Sequence, residues 1–321
     1  MSAQVLPVPG VRIADGIEDL IGRTPLLRLP VPGAAPDVQV LAKLEFTNPL
    51  ASVKDRAALW MMRAAEAEGA LVPGRGTVIE ATSGNTGIAL AALAAARGYR
   101  CVIVLPDSAT QERIALLRAL GAEVELTSRD LRYQGAIDRA EQLHRETPGS
   151  WFPRQHENPH NVRAHRESTG PEIWADTGGA VDVLVCGIGT GGTLCGAAAY
   201  LKEQKPQVRA VAVEPATSPL LSGGEPGTHA IPGLNGGFIA DTTDRDLIDE
   251  VLTVEDGEAI GTARWLARHV GVLAGISSGA AVHAAQRLAR RAENAGRTIV
   301  TVLPDTGERY LSVWPGERTD G

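Results

Sequence analysis

Cysteine is scarce in this chain. Its 321 residues hold three, Cys101, Cys186 and Cys195, an odd set scattered among apolar runs and a glycine loop. That set supports neither a disulfide framework nor a zinc site, and predicts buried free thiols in a reducing compartment. Basic runs are lacking too. The formal net charge is -7 and the pI about 5.6, which argues against a surface that tracks nucleic-acid phosphates. No window reaches the ~18 apolar residues of a membrane span. Residues 1–10 lack the basic start and apolar block of a secretory signal. A soluble cytoplasmic protein is expected, with neither nucleic acid nor membrane as partner. There is no Walker loop and no Gly-x-Ser-x-Gly elbow. Of the seven histidines, His156, His160 and His165 are neighbours, but their spacing fits neither a zinc helix nor a facial triad, so no metal is expected. A hydrophobic content of 44% with 21% charged residues is ample for a core and excludes disorder.

What is present is a regular alternation. Apolar runs at 38–44, 77–80, 101–105 and 123–127 read as strands, with helices at 87–97, 112–120 and 135–146. A second series follows, with strands at 181–186, 208–213 and 298–303 and helices at 160–175, 193–204, near 256–269 and at 279–294. Strands apolar on both faces and alternating with helices mean parallel sheets covered on both sides. The fold class is therefore α/β, with two lobes, each a mostly parallel sheet flanked by helices. Residues 48–158 form the smaller lobe, 12–47 plus 159–312 the larger, and 1–11 and 313–321 are tails. Ligands of such sheets bind beyond the carboxyl ends of strands. The Gly- and Pro-rich stretch from Ser222 to Gly237 is a candidate lid or wall.

The loops carry the chemistry. In Asn48-Pro-Leu-Ala-Ser-Val-Lys54-Asp-Arg56, Ser52 reads as an N-cap and Asp55 as the far side of a capping box. Lys54 then sits at the positive end of a helix dipole, where a cation costs ~0.3–1 kcal/mol and the neutral, nucleophilic amine is favoured. The bland alternative is a solvated lysine paired with Asp55. Thr82-Ser-Gly-Asn-Thr-Gly87 offers hydroxyls, an amide and a helix N-terminus to a carboxylate or phosphate, or simply caps its helix. Gly187-Ile-Gly-Thr-Gly-Gly-Thr193 lets the backbone approach an anion. It has a rival reading: Gly187, Gly189 and Gly192 match G-x-G-x-x-G, and Glu214 ends the next strand where a ribose-binding acid would stand, as in a nicotinamide-dependent dehydrogenase. Ser277 and Ser278 precede a helix that they could cap. The stretch 303–312 reads as a polar, exposed loop.

Taken in order, Ile21-Gly-Arg-Thr-Pro-Leu, the Lys54 stretch, Thr-Ser-Gly-Asn-Thr-Gly, Thr169-Gly-Pro-Glu-Ile-Trp174, Gly-Thr-Gly-Gly-Thr, Gly-Ile-Ser-Ser-Gly and Pro-Asp-Thr-Gly-Glu-Arg-Tyr-Leu-Ser312 resemble the cysteine synthase (O-acetylserine sulfhydrylase) branch of the fold-type II pyridoxal-phosphate enzymes over nearly the whole chain. The resemblance implies pyridoxal 5'-phosphate, with Lys54 as the catalytic Schiff-base lysine and Asn85 on the ring hydroxyl. It places the phosphate on Gly189, Thr190, Gly191, Gly192 and Thr193, and Ser277 at the pyridine nitrogen. Thr82, Ser83, Thr86 and Gln155 would bind the substrate carboxylate, with Gly233 on the opposite wall. The implied reaction is β-replacement on an O-activated L-serine through an aminoacrylate: O-acetyl-L-serine and sulfide give L-cysteine and acetate. A homodimer is implied, as is serine acetyltransferase as a possible partner.

The chain departs from the family pattern on the substrate side. It reads Gly233-Leu-Asn-Gly-Gly-Phe238, which puts Asn235 in a wall usually made of glycine. Ala109 replaces a usual methionine, and Leu131-Arg-Tyr-Gln-Gly-Ala136 replaces Gly-Met-x-Gly-Ala. A specialised enzyme using O-phosphoserine, or a different nucleophile to make a non-proteinogenic amino acid, is the alternative within the class. A non-catalytic partner of serine acetyltransferase is the alternative outside it.

Overall fold

The computed structural model describes residues 13–311; the expected tails 1–11 and 313–321, and residues 12 and 312, lie outside that span. The chain enters through β1 (Leu26–Leu29) and β2 (Gln39–Leu44), an antiparallel pair joined by a proline-bearing loop. It then builds α1 (Lys54–Ala67), β3 (Thr77–Ala81), α2 (Asn85–Arg97), β4 (Arg100–Pro106), α3 (Gln111–Ala119), β5 (Glu123–Thr127), α4 (Arg132–Glu146) and β6 (Ser150–Trp151). These four strands form one parallel sheet in the order β5-β4-β3-β6. After α5 (Pro159–Ala164), α6 (Gly170–Asp176), β7 (Val181–Gly187), α7 (Gly192–Gln204) and β8 (Arg209–Pro215), a long loop leads to β9 (Glu250–Val254), α8 (Asp256–Trp265), α9 (Ile276–Ala289) and β10 (Thr298–Leu303). The second sheet runs β1-β2-β10-β7-β8-β9 and is parallel except for β1 with β2. Two mostly parallel, helix-flanked sheets are what the alternation predicts.

Each sheet is covered on both faces. The larger packs α8 and α9 on one side and α6 and α7 on the other. The smaller packs α1, α2 and α3 opposite α4. Every residue of β3 and of β10 is buried, which is why these strands are mostly apolar on both faces, with Glu80 and Thr301 among the buried polar exceptions. The alanine-rich α2 ends at Gly98, whose φ of 71° closes the helix without a Cβ penalty.

Some expectations need correction. The helix expected over 160–175 is three segments, with a wide π turn at His165–Thr169 between α5 and α6. A second π turn, Leu266–Val270, follows α8. The first presses on α7, where a Cβ on Gly196 would stand 2.8 Å from the His165 Cβ and 2.9 Å from the Arg166 backbone nitrogen. Ser52 is not the N-cap of α1. Val53 holds that place, Ser52 Oγ accepts the Lys54 N–H at 3.3 Å, and the Asp55 carboxylate turns back to the Leu50 N–H at 2.7 Å. Ser277 and Ser278 lie inside the first turn of α9, behind Gly275, and do not cap it. The stretch from Asp305 to Tyr310 is not an exposed loop, since both of those residues are buried.

Candidate active site

Lys54 opens α1 at the seam between the sheets. The Val53 N–H donates to the Pro304 carbonyl at 2.8 Å, and Ser52 bridges Asp305, so the lysine is tethered to the end of β10. Burial holds its amine below the ordinary lysine range, against the pull of the Asp305 carboxylate. Desolvation therefore favours the neutral amine.

Asp305 was not singled out in the sequence. It is fully desolvated, and its carboxyl is pushed up by burial. Oδ2 accepts from the Asn85 amide at 2.7 Å and from the Tyr310 hydroxyl, while Oδ1 is buried with no hydrogen-bond partner. An acceptor left open beside a buried amine favours that amine's charged form. Replacing Asp305 by asparagine is expected to lower the pH at which Lys54 is half-modified by reductive alkylation with a small aldehyde by about one unit, since an opposing charge within a few ångströms shifts a pKa by 1–3 units. An unmoved midpoint would show that the carboxylate is not felt at the amine.

The two glycine loops face one another. Lys54, Thr82, Ser83, Asn85, Thr86, Gln155, Gly189, Thr190 and Gly233 line one cavity of about 340 Å³. A recess of about 60 Å³ beside it adds Gly191, Thr193, Ser277 and Asp305. Gly192 lines neither. It starts α7, where a Cβ would come within 2.4 Å of Asn161 Oδ1. The glycines are needed for close approach. A Cβ on Gly189 would meet the Gly233 carbonyl at 2.3 Å, and one on Gly191, whose φ is 79°, would meet Thr243 Oγ1 at 2.2 Å. The loop is held by Thr190 Oγ1, which accepts from Asn161 at 2.9 Å, and by the Thr243 hydroxyl donating to the Thr190 carbonyl at 3.2 Å. Beyond it, the first turn of the 13-residue α7 points backbone N–H groups without helical acceptors at the cavity side.

Across the cavity, the Thr86 hydroxyl donates to Gln155 Oε1 at 2.5 Å, and the Gly84 N–H to Thr82 Oγ1 at 3.1 Å. Arg113 donates to the Ser83 carbonyl at 2.9 Å. Asn85 has both ends of its amide engaged, by Asp305 and by the Arg309 guanidinium.

The rival dehydrogenase reading loses its acid. Glu214 is buried, and its oxygens accept the N–H groups of Leu221 at 2.8 Å and Ser222 at 3.0 Å. Asn235 does not crowd the cavity as expected. Its amide turns away to Ser218, donating at 2.6 Å and accepting at 3.1 Å. Ala109 packs against the smaller lobe's core. Tyr133 does reach the cavity, together with His156. The departure at 131–136 was the signal for Tyr133; only adjacency to Gln155 pointed to His156.

The residues present fit pyridoxal phosphate. A desolvated amine, a glycine cradle at a helix N-terminus and the Ser277 hydroxyl share one recess, beside an unpartnered buried carboxylate oxygen. Among the described residues no cluster of His, Cys, Asp and Glu could hold a metal, and no helix is long and apolar enough to cross a membrane. The three cysteines are free and buried.

Comparison with known proteins agrees. A family model described as pyridoxal-phosphate dependent enzyme matches residues 17–305. A cysteine synthase of Staphylococcus aureus is 47% identical over 301 residues, 93% of this chain and 96% of that protein. The crystal structure of a cysteine synthase from Entamoeba histolytica superposes with a TM-score of 0.94 at 38% identity, covering 100% of this chain and 96% of that one. An O-ureido-L-serine synthase superposes at 0.90 with 43% identity, covering 96% and 98%.

Proposed function

The chain belongs to the pyridoxal-phosphate dependent enzymes and, within them, to the cysteine synthase family, and from that premise we propose that it replaces the β-substituent of an O-activated L-serine, with O-acetyl-L-serine and sulfide giving L-cysteine and acetate. The carrying observation is the meeting of the Lys54 amine, the 189–193 backbone and Ser277 around one recess.

When bound, the cofactor supplies an electrophilic aldehyde and an electron-withdrawing ring. Lys54 would hold that aldehyde. The 189–193 loop, Gly189, Thr190, Gly191, Gly192 and Thr193, would hold the phosphate. Ser277 would serve the pyridine nitrogen as a neutral hydroxyl, and Asn85 the ring hydroxyl. The N–H groups and hydroxyls of Thr82, Ser83 and Thr86, with the Gln155 amide, take the substrate carboxylate; Gly233 forms the far wall. The free Lys54 amine would remove the α-proton as general base, and burial, which lowers its pKa, favours the neutral form that can accept that proton. The ammonium so formed lies beside Asp305. Loss of the β-substituent, addition of a nucleophile at the β-carbon and return of the proton from the Lys54 ammonium to the α-carbon complete the exchange. The same carboxylate donors would accept the C-terminus of serine acetyltransferase, and a cytoplasmic homodimer completes the proposal.

Arg113, on the cavity wall next to Ser83, favours a second donor substrate, O-phospho-L-serine, whose leaving group is anionic. The test adds O-acetyl-L-serine, O-phospho-L-serine and serine separately to holoenzyme, without a nucleophile. A stoichiometric burst of acetate or phosphate, followed by L-cysteine when sulfide is added, is expected. If neither activated serine releases its substituent, the proposal fails.

A further inference from the structure

A second cavity of about 380 Å³ adjoins the first and shares Tyr133, Gln155 and His156 with it. Sulfide does not need this space, being little larger than a water, whose share of liquid volume is about 30 Å³. Tyr133 and His156 form the shared wall. The Tyr133 hydroxyl donates to the Ala81 carbonyl at 2.6 Å and stands 3.4 Å from His156 Nε2. His156 Nδ1 is buried with no hydrogen-bond partner, and the Phe238 ring meets the imidazole edge-on at 5.0 Å.

The chamber is apolar within and acidic at its rim. Ile137, Phe152 and Phe238 supply the apolar surface. Burial pushes Glu80 up to about 8 and His156 down to about 4, so both are neutral at pH 7. The charge then comes from Glu141, Glu157 and Asp241 against one guanidinium, Arg154. Arg154 lies 3.3 Å from Glu141 and 3.5 Å from Glu157, which leaves Asp241 uncompensated within the chamber. A cation is favoured there, and aromatic faces beside it add to that preference.

We propose that this chamber seats the tail of the incoming nucleophile, and that the nucleophile it selects is a thiol carrying an ammonium group. The inference rests on the β-replacement reading and names its second substrate class. The thiol passes the Tyr133–His156 wall to the reacting carbon while the ammonium remains at the Asp241 side. The sulfur forms the new C–S bond at the β-carbon, where the C–O bond has broken with acetate as leaving group; the thiol's proton is released to solvent and the proton held by Lys54 returns to the α-carbon, so the exchange needs no oxidant or further reactant.

The test uses holoenzyme charged with O-acetyl-L-serine and four nucleophiles: sulfide, 2-aminoethanethiol, 2-mercaptoethanol and 3-mercaptopropionate. Rates are compared per thiolate, to remove differences in thiol acidity. The cationic thiol should exceed its neutral counterpart in kcat/KM by about tenfold, the low end of electrostatic focusing, and the anionic thiol should fall below both. The preference should shrink between 20 and 500 mM salt, probe conditions that span roughly 20 to 4 Å of screening length. Asp241→Asn should bring the cationic-to-neutral ratio close to one, an internal ratio that does not depend on how much enzyme folds. Equal rates for the three thiols, or a preference that survives in Asp241→Asn, overturn the subsite while sulfide turnover leaves the β-replacement reading standing. Failure of all four nucleophiles overturns both.

Discussion

Lys54→Ala is expected to lower kcat/KM for the exchange by at least ~10³-fold, because a positioned general base alone contributes roughly 10²–10⁴ and the covalent hold on the aldehyde is lost with it. The rest of the site should persist. Lys54 points into a cavity, and its removal leaves the Val53–Pro304 hydrogen bond and the Ser52–Asp305 bridge in place. Borohydride reduction followed by peptide mass analysis separates the two losses. In the parent protein the reduced cofactor should be fixed on the peptide that contains residue 54. In Lys54→Ala no peptide should carry it, while pyridoxal phosphate still binds reversibly at the 189–193 loop. Cofactor fixed to another lysine, with activity retained, would move the chemistry elsewhere. Lys54→Arg should be as inactive as the alanine variant, since a guanidinium stays protonated and cannot accept the α-proton.

The framework around Lys54 was legible because it is written in local patterns. Two buried parallel sheets demand apolar strands, and β3, β4, β5, β7 and β10 fall within a residue or two of their expected positions. The glycine loops declare themselves because a Cβ at Gly189 or Gly191 has no room, a constraint that leaves only one residue type. Asp305 was hidden for the opposite reason. A carboxylate in Pro-Asp-Thr-Gly reads as surface turn chemistry, and its burial depends on Asn85 arriving from 220 residues away. The neighbouring Tyr133 and His156 are likewise joined by tertiary packing, 23 residues apart in sequence. The strand β9 was missed since no α-helix separates it from β8, so the strand–helix alternation does not mark it. Glu250 is held by ion pairs with Arg209 and Arg291, which no strand period encodes. The π turn at His165–Thr169 follows from contact with α7, again a tertiary cause.

Arg56→Met is expected to be the most damaging substitution outside the cavity. Arg56 leaves α1 two residues after Lys54 and is 1% exposed. It donates to Glu45 at 2.8 and 2.9 Å and to both oxygens of Glu172 at 2.7 Å. Lys43 meets the same Glu172 at 2.9 Å. The cluster ties the helix that carries Lys54 to the end of β2 and to α6. Burial alone would push Glu45 up, yet Arg56 holds it below the usual carboxylate range. Glu172 is likewise brought down to about 2 by Arg56 and Lys43 against the upward push of its burial. Methionine fills much of the volume but leaves Glu45 buried without its cation, a change that costs about 3–5 kcal/mol. The pH dependence follows from the signs. In the parent, both depressed carboxylates contribute stability above their unfolded values near 4.3, and lose it as pH falls through the folded ones. In the variant, burial raises Glu45, so its penalty is greatest where it must ionise and is relieved as it protonates. The gap between parent and variant in urea midpoint should therefore be wide at pH 8 and narrow toward pH 5. A gap independent of pH would mean that Arg56 acts by packing alone. Turnover of the folded fraction should also fall, because α1 sets where the Lys54 amine stands.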